Sequence, residues 1–433
     1  MEKINIGLIG FGNVGSGVVK ILRERKSFLS EKTSLELNIK KICDKDLTSK
    51  RNVHIEKDLV TRDVRDVTND PKIDIVVELI GGIHPAKEII IEALKKGKNV
   101  VTANKALLAE HGRELFTLAR DRSRSIYFEA SVGAGIPIIK SLREGLVANK
   151  FSSIFGIVNG TSNFVLSEMS ARNCSFNDAL LEAKKRGFAE KDPTLDIEGI
   201  DSAHKLSILS YLCFGKLANR EDIFIEGISR VSIVDINYAK EMGFEIKLLA
   251  IAKKESDELE LRVHPTLIPE SHLLASVNGI FNAIYVSSDL AGNLLFYGPG
   301  AGQLCAASAV VSDIVDLTHD IKAGLFRSTL NVVVDHSIKK LRKIDEIESR
   351  YYIRFMAVDK PGVLAKISGV LAKSGISIAT VTQKERIKAQ TQIVPIMMIV
   401  HDAKEKSLKQ ALDTIDRFDI IKEKSVAIRI EEA

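Results

Sequence analysis

The sequence predicts three successive domains of α/β and α+β class, and three observations support this prediction. A short apolar strand near the start of the chain runs into the glycine-rich turn GFGNVG and then a helix, which indicates a doubly wound parallel sheet. Helical and strand-like segments then alternate in a pattern typical of an α+β domain. The last part has the order βαββαβ, which predicts a ferredoxin-like sheet. We expect the domains to span residues 1–136, 137–325 and 351–433, with a charged linker over 326–350.

The composition is typical of an ordinary globular protein and excludes several functional classes. Apolar residues make up 45% of the 433 residues, and the net charge of +5 is spread along the chain without a basic cluster that would bind nucleic acid. No apolar run approaches the ~20 residues of a membrane span, and we expect no signal peptide, because the N-terminus lacks a basic start, a long apolar run and a cleavage site. The four cysteines lie far apart without a CxxC pair, which favours reduced thiols in the cytoplasm and argues against zinc.

The first glycine-rich turn predicts a dinucleotide site. It follows the apolar strand Ile4–Ile9 and precedes a helix over 14–25, which is the context that the GxGxxG fingerprint requires. The first glycine allows the turn, the second lets the backbone approach a pyrophosphate, and the third allows close packing of helix on strand. The alternative is a glycine turn without a ligand. The predicted contacts are Gly10, Phe11, Gly12, Asn13, Val14 and Gly15.

The second strand leaves the choice between NAD and NADP open. It is predicted over 35–43, after an inserted loop KSFLSEKTS, and it ends at Asp44. A carboxylate at this point holds the ribose 2′-hydroxyl of NAD, whereas the neighbouring Lys45 is suited to the 2′-phosphate of NADP. Asp44 as a plain surface charge is the third possibility.

Two more strands bring polar or flexible residues to the same edge of the sheet. The nearly continuous apolar segment 73–82 is typical of a strand in a parallel sheet, and Gly81 lies at its end. The strand 99–103 ends at Asn104 and Lys105. Because ligands bind beyond the carboxyl ends of such strands, we expect Gly81 and Lys105 to face the cofactor or substrate. A solvated lysine at a strand end is the alternative. Helices are predicted over 85–96 and 106–120, and a strand over 126–129.

The middle region predicts an open, mostly antiparallel sheet. A helix over 137–147 leads into it. Such a sheet needs a cover on its edge, and pairing with a second copy in a homodimer or homotetramer would supply one. The predicted strands are 154–158, 246–253, 259–263 and 283–287, and the predicted helices are 162–169, 176–185, 201–213 and 235–242.

The stretch GFAEKDPTLDIEGIDSAHKL, residues 187–206, concentrates charged groups ahead of a helix. Glu190 and Asp196 precede the helix, while Asp201 and Lys205 stand four residues apart on one of its faces. Apolar neighbours predict that the helix is largely buried, and buried charges must be paired or functional. A structural ion pair and a catalytic site are both consistent with this pattern.

Nine segments that occur in order along the chain carry a family resemblance. They are GFGNVG, VVELIGG, VTANKALLAEHG, FEASVGAGIPII, IVNGTSNFVL, GFAEKDPTLDIEGIDSAHKLSIL, IKLLAIA, VHPTLIP and FYGPGAG. This ordered set resembles the homoserine dehydrogenase family, whose members interconvert aspartate 4-semialdehyde and homoserine with NAD or NADP. The resemblance covers residues 1 to about 325 and implies a Rossmann-type first domain and a role in threonine, methionine and isoleucine biosynthesis. A related semialdehyde or amino-acid dehydrogenase and a non-catalytic amino-acid sensor are the alternatives.

The resemblance also implies roles for individual residues. Lys205 resembles the catalytic acid/base, with Asp201 as its partner, and Lys105 resembles a second lysine beside the reacting carbonyl and the nicotinamide. Glu190 and Asp196 resemble the carboxylates that hold the substrate ammonium.

Two turns complete the implied site. A monovalent cation, sodium in the family, is expected mainly on backbone carbonyls of Glu129, Val132, Ala134 and Ile136. A second glycine turn is expected to close on the cofactor near Gly302. This chain departs from the family there, because Cys305 and Ala306 replace the usual Pro-Thr pair.

The C-terminal module resembles an ACT domain, a small amino-acid-sensing fold. It starts at Tyr351, and its turn DKPGVL, residues 359–364, precedes an amphipathic helix. Backbone groups beside Gly362 and the helix N-terminus are suited to an α-carboxylate. By analogy with the family we expect threonine as the effector, and a purely oligomerising module is the alternative.

Overall fold

The computed structural model describes residues 3–49, 51, 53–326, 335–383 and 393–432. Its contacts divide the chain into two compact units. The first contains Met1–Ser152, Ala203–Glu221 and Asn282–His336, and the second contains Ser153–Ser202, Asp222–Phe281 and Ser337–Ala433. The units are therefore interleaved along the chain, whereas the domains predicted from the sequence are continuous segments.

The N-terminal part alternates short strands with helices. Its strands are β1 (Lys3–Ile9), β2 (Glu36–Cys43), β3 (Val60–Thr61), β4 (Ile75–Glu78), β5 (Asn99–Thr102) and β6 (Ile126–Tyr127). Its helices are α1 (Asn13–Glu24), α2 (Lys26–Thr33), α3 (Arg65–Thr68), α4 (Ala86–Lys95), α5 (Lys105–Asp121) and α6 (Ile138–Lys140), the last continued by a π-helical turn at Ser141–Gly145.

The middle part contains longer strands. They are β7 (Phe151–Ile157), β8 (Phe224–Ile225), β9 (Phe244–Glu255), β10 (Glu258–Pro269), β11 (Phe281–Ser288) and β12 (Gly292–Pro299). The helices are α7 (Gly160–Arg172), α8 (Phe176–Lys185), α9 (Thr194–Ile197), α10 (Ile200–Phe214), α11 (Ile233–Glu241) and α12 (Gln303–Lys322).

The C-terminal part has the predicted alternation. Its elements are β13 (Lys340–Arg342), β14 (Glu348–Val358), α13 (Val363–Lys373), β15 (Ile378–Gln383), β16 (Ile393–Lys404), α14 (Glu405–Ile415) and β17 (Ile421–Ile430). The first part of the predicted linker, residues 327–334, lies outside the described residues, and β13 occupies part of the remainder.

The first unit confirms the predicted doubly wound sheet. Its six strands are parallel in the order β3-β2-β1-β4-β5-β6, which is the order of a dinucleotide-binding fold. The core joins β1, β4 and α1 to the distant helix α12, whose Ala307, Val310 and Ile314 are all 0% exposed. Helix α12 therefore belongs to this sheet, although it follows β1 by about three hundred residues.

The predicted loop KSFLSEKTS is wrong, because its residues form helix α2. The segment contains neither Pro nor Gly, and Leu29 packs against the core of the first unit. The Thr33 hydroxyl donates to the Leu29 carbonyl at 2.6 Å, and Ser34 ends the helix in the left-handed region at φ 57°. Tertiary packing thus stabilises a helix that the polar composition of the segment does not predict.

The second unit contains a continuous sheet that extends into the C-terminal module. Strands β7, β9 and β10 are antiparallel, as predicted, and β10 then pairs in parallel with β17 through Thr266 opposite Arg429. The strands follow the order β7-β9-β10-β17-β14-β16-β15. The chain itself therefore pairs one edge of the central sheet, which the sequence had left open for a second copy.

Strand β10 is seven residues longer than predicted, and its proline explains the error. The strand pairs with β9 over its whole length, but its other edge is paired in pieces, by β13 at 258–260, β8 at 262–263 and β17 at 266–267. Pro265 falls between the last two pieces, where no N–H is needed for the ladder.

The C-terminal module confirms the ferredoxin-like prediction. Its own four strands follow the order β17-β14-β16-β15, with Tyr351, Phe355, Ile367 and Ile415 in a common core under α13 and α14. Among the described residues, no helix has both the length and the apolar character to cross a membrane. All four cysteines are unpaired.

Candidate active site

The glycine turn between β1 and α1 has the geometry that a dinucleotide needs. Gly10 has φ 101°, and a Cβ there would lie 2.6 Å from the Leu79 carbonyl carbon. A Cβ on Gly15 would meet the Gly10 carbonyl oxygen at 2.0 Å, so α1 packs directly on the turn. A Cβ on Gly12 would meet nothing within 4 Å, and no side chain caps the first turn of α1. This helix N-terminus is therefore suited to a phosphate.

Asp44 follows β2 and holds the glycine turn. Its Oδ2 accepts the backbone N–H of Phe11, and its Oδ1 accepts that of Asp46 at 2.8 Å. Both carboxylate oxygens thus already have a backbone donor at the point where a ribose hydroxyl would bind.

Arg51 is a residue at this turn that the sequence analysis missed. Its Nε donates to the Phe11 carbonyl at 2.9 Å, and its guanidinium lies 5.5 Å from the centre of the Phe11 ring. Lys45, the predicted cation, is exposed beside them. Arg51 follows β2 by eight residues in an irregular segment, so no periodic pattern in the sequence links it to the turn.

Lys105 is the first residue of α5 and lies, half-buried, directly after β5. Asn104 caps this helix, because its side chain accepts the Leu107 N–H at 3.2 Å. The Asn104 amide also donates to the Gly82 carbonyl at 2.6 Å, which ties Lys105 to the loop that contains Gly81. The first unit thus places the glycine turn, the Gly81 loop and Lys105 together at the carboxyl ends of β1, β4 and β5, as predicted.

In the second unit, Asn159 joins two of the predicted carboxylates. Its Nδ2 donates to Asp196 at 2.7 Å and to Asp201 at 2.9 Å, while its oxygen caps α7 at Ser162. Asp201 is buried, Asp196 is half-buried and Glu190 is exposed. Asn159 was part of the motif IVNGTSNFVL, and its position just before a helix was the signal that could have singled it out.

Helix α10 carries Asp201 and Lys205 one turn apart, and the division between the two compact units runs through it after Ser202. Both side chains are buried, with exposures of 7% and 8%. The prediction that this helix is largely buried is therefore confirmed. A lysine at this depth needs polar or charged partners for its ammonium group.

The predicted cation turn lies in the first unit after β6. Gly133 and Ala134 both adopt left-handed conformations, with φ 70° and 43°. The Glu129 carboxylate accepts the N–H groups of Ile139 and Lys140, each at 2.8 Å, and burial raises the pKa of Glu129 to about 7.

The cation turn offers backbone oxygens rather than a cluster of side-chain ligands. The Ile136 carbonyl accepts the Ile138 N–H at 2.8 Å. Within the described residues there is no group of three or more His, Cys, Asp or Glu that could hold a metal. A cation here would therefore depend on carbonyls such as those of Val132 and Ala134, which suit a hard ion.

The second glycine turn contacts the first one through Gln303. Gly302 precedes α12 with φ 125°, and the Gln303 amide donates to the Asn13 carbonyl and the Ser16 hydroxyl, both at 3.0 Å. Cys305, the departure from the family pattern, lies 3.3 Å from where a Cβ on Gly135 would be. It therefore packs against the cation turn.

The turn at 359–364 leads into α13 without a side-chain cap. Gly362 has φ 85°, and a Cβ there would meet nothing within 4 Å. The site predicted for an α-carboxylate therefore combines an open backbone with a helix N-terminus.

Comparison with known families gives three matches along the chain. A family model described as the NAD-binding domain of homoserine dehydrogenase matches residues 10–129, and one described as homoserine dehydrogenase matches residues 137–315. An ACT domain model matches residues 351–419.

Individual relatives are similar over the full chain. A homoserine dehydrogenase of Neisseria gonorrhoeae is 43% identical, covering 100% of this chain and 99% of its own length, and one of Bacillus subtilis is 37% identical with the same coverage. A crystal structure of a homoserine dehydrogenase from Thiobacillus denitrificans has a TM-score of 0.89 at 41% identity, covering 99% of this chain and 98% of that one. A hyperthermophilic archaeal homoserine dehydrogenase in complex with NADPH has a TM-score of 0.63 at 29% identity, covering 73% and 98%.

Proposed function

The chain belongs to the homoserine dehydrogenase family of NAD(P)-dependent oxidoreductases, and we propose that Lys205 moves the proton in its reversible reduction of L-aspartate 4-semialdehyde to L-homoserine. The observation that carries this assignment is the buried Lys205, one helical turn from an Asp201 that Asn159 holds together with Asp196. The nicotinamide supplies or accepts the hydride at the carbon that bears the oxygen.

Lys205 then handles the proton at that oxygen. In reduction its ammonium group donates a proton to the carbonyl oxygen as the alcohol forms, and in oxidation the neutral amine accepts it back. Asp201 favours the charged form of a lysine on the same helical face, whereas burial and the second lysine, Lys105, favour the neutral form. We assign Lys105 to polarising the carbonyl.

Glu190 and Asp196 are assigned to the ammonium group of the amino-acid substrate. Asp196 keeps one carboxylate oxygen on the Asn159 amide, which fixes its direction. Glu190 is exposed and is therefore able to reach an incoming ligand. These assignments follow the family resemblance, and the shared amide of Asn159 supports them.

We assign NADP as the preferred cofactor. The Asp44 carboxylate already accepts hydrogen bonds from two backbone N–H groups, so it is less available to a ribose 2′-hydroxyl. Arg51 and Lys45 add positive charge at the same end of β2, which suits a 2′-phosphate. The archaeal relative in complex with NADPH supports this choice.

A monovalent cation, sodium by family resemblance, is assigned to the turn formed by residues 129–136. The consecutive left-handed residues Gly133 and Ala134 support it, because backbone in sparsely populated conformations clusters at ligand sites and other functional sites. The cation would brace the turn against which Cys305 packs.

The C-terminal ACT module is assigned to regulation by an amino acid, with threonine as the expected effector at Gly362. Self-association as a homodimer or homotetramer is supported by the exposed apolar strand β12, in which Tyr297 is 55% exposed. We place the enzyme in the cytoplasm, in keeping with its four unpaired cysteines.

The decisive experiment is a turnover assay with homoserine, using NADP and NAD separately, with and without threonine. Lys205→Ala should lower kcat by about 10²–10⁴-fold while NADP binding, measured by fluorescence titration, stays intact. Lys216→Ala, which changes a half-buried lysine just after α10, serves as the matched control. Near-normal turnover by Lys205→Ala would contradict the assignment of Lys205 to proton transfer. No turnover of homoserine by the wild type would favour a related dehydrogenase or an amino-acid sensor.

A further inference from the structure

Glu78 is a fully buried carboxylate that the site described so far does not use. It is the last residue of β4 and is 0% exposed. A buried carboxylate costs several kcal/mol unless hydrogen bonds compensate it, so its surroundings show what it does.

Two donors from the loop after β4 and one from the end of β5 converge on Glu78. Its Oε1 accepts the backbone N–H groups of Ile80 at 2.8 Å and Gly81 at 3.2 Å. Its Oε2 accepts the Thr102 hydroxyl, at the end of β5, at 2.7 Å. Burial raises the pKa of the Glu78 carboxyl, whereas hydrogen bonding by Thr102, Ile80, Gly81 and Asn104 acts in the opposite direction.

Through these bonds Glu78 joins the loop after β4 to the turn that carries Lys105. The Thr102 hydroxyl accepts the Asn104 N–H at 3.1 Å, and Asn104 caps α5, of which Lys105 is the first residue. Above the carboxylate, the loop is exposed, with Gly81 and Gly82 both at φ 72°.

The same loop also contacts the glycine turn. The Leu79 N–H donates to the Ile9 carbonyl at 2.7 Å, and Gly10 lies so close to Leu79 and Ile80 that no Cβ fits there. Glu78 therefore lies next to the glycine turn with Gly10, the loop with Gly81 and the start of α5 with Lys105.

We propose that Glu78 is a positioning residue for hydride transfer, which holds the Gly81 loop and Lys105 in one fixed arrangement at the carboxyl ends of β4 and β5. This inference rests on the proposed roles of Lys105 and the dinucleotide turn. A purely structural carboxylate would contribute to stability alone, whereas a positioning residue must also affect the chemical step, because small displacements of reacting groups cost large factors in rate.

The test compares Glu78→Gln with a carboxylate at the other end of the same strand. Asp74 precedes β4 and accepts the Asn5 N–H at 2.8 Å, so Asp74→Asn removes a charge from the same part of the sheet away from the loops. Both variants keep the side-chain size. We would measure kcat, KM for homoserine, NADP affinity, thermal unfolding and the deuterium isotope effect on kcat with 4-deuterated NADPH and aspartate semialdehyde.

Glu78→Gln should lower kcat about ten- to hundredfold, the range set by loss of a charge-assisted hydrogen bond, and should raise the isotope effect. NADP affinity and the KM for homoserine should change by less than about threefold, because the glycine turn assigned to the pyrophosphate and the carboxylates assigned to the substrate ammonium keep their own contacts. Asp74→Asn should keep wild-type kcat.

Thr102→Val removes only the hydroxyl donor and should reproduce part of the loss, while Thr102→Ser should restore it. This pair tests the inference even if Glu78→Gln fails to fold. The inference would be overturned if Glu78→Gln kept the wild-type kcat and isotope effect. If Glu78→Gln fails to fold, the same result in Thr102→Val would overturn it. An equal loss in Asp74→Asn would do the same. A wild type that does not turn over homoserine would instead overturn the proposed function.

Discussion

Replacing Arg429 by Met should destabilise the joint between the central sheet and the C-terminal module. Arg429 lies on β17, opposite Thr266 of β10, and its side chain is only 5% exposed. Its guanidinium donates to both carboxylate oxygens of Glu405 on α14 and to Glu226 at 3.0 Å. Methionine keeps the length and apolar character of the side chain but leaves Glu405 without its counter-charge.

The size of the effect follows from the burial of the partners. Glu405 is 7% exposed and would retain the Tyr351 hydroxyl as a donor at 2.8 Å. Removing one partner of a buried ion pair costs about 3–5 kcal/mol, because the other charge stays buried. Glu226 is 33% exposed and adds at most about 1 kcal/mol, since solvent screens it.

Hydrogen–deuterium exchange measures this cost locally, which matters because a chain with two compact units need not unfold in a single step. Exchange of the amides that join β14 and β17 should accelerate by about two to four orders of magnitude in Arg429→Met, because each 1.4 kcal/mol is tenfold. Lys409→Met, which breaks an ion pair to Asp345 with side chains 56% and 52% exposed, is the control and should stay within about threefold of wild type.

A double variant separates the unpaired charge from lost packing. Arg429→Met with Glu405→Leu removes both charges, and the exchange rate should return most of the way to wild type. A single variant that exchanges within tenfold of wild type would refute the reasoning. A double variant as fast as the single one would mean that packing, and not the buried charge, caused the loss.

Two further predictions concern pH and cofactor choice. Burial lowers the pKa of Lys247 from 10.5 to about 8. Between these two pH values the unfolded chain therefore binds more protons than the folded chain. The folded wild type consequently becomes more stable as pH rises from about 8 to 10.5. In urea unfolding, the free energy of unfolding of the wild type should rise by about 3 kcal/mol more than that of Lys247→Met across this pH interval. Equal dependence of the two unfolding free energies on pH would contradict the assignment. Arg51→Leu should lower kcat/KM for NADPH at least about tenfold and leave NADH nearly unchanged. A parallel loss with both cofactors would mean that Arg51 only shapes the glycine turn.

Sequence reasoning succeeded where the determining interactions are local. The glycine spacing in GFGNVG, the buried runs of β4 and β5 and the βαββαβ order each reflect contacts within a few tens of residues, and the structure confirms all three. Errors arose where distant residues decide the conformation. Segment 26–33 became a helix through core packing, and Pro265 was tolerated in β10 because no partner strand needs its N–H.

The same distinction applies to the candidate site. Asp201 and Lys205 were predicted as a pair because they share one helix, and Lys105 was predicted because strand ends are visible in the sequence. The groups that orient such residues were missed, since they act across long separations in the chain. Asn159 reaches Asp201 over 42 residues, and Thr102 reaches Glu78 over 24.

Contacts between distant residues also connect the C-terminal module to Asp196, which we assign to the substrate. Arg429 of β17 binds Glu226, and a Cβ on the neighbouring Gly227 would lie 2.5 Å from the Ile197 carbonyl oxygen. The N–H of Ile228 donates to that same carbonyl at 2.8 Å, one residue after Asp196. A displacement of β17 by an effector would therefore reach Asp196 through only two packed contacts. The Arg429→Met variant should on this argument raise the KM for homoserine while leaving the KM for NADP unchanged, because the dinucleotide turn belongs to the other compact unit.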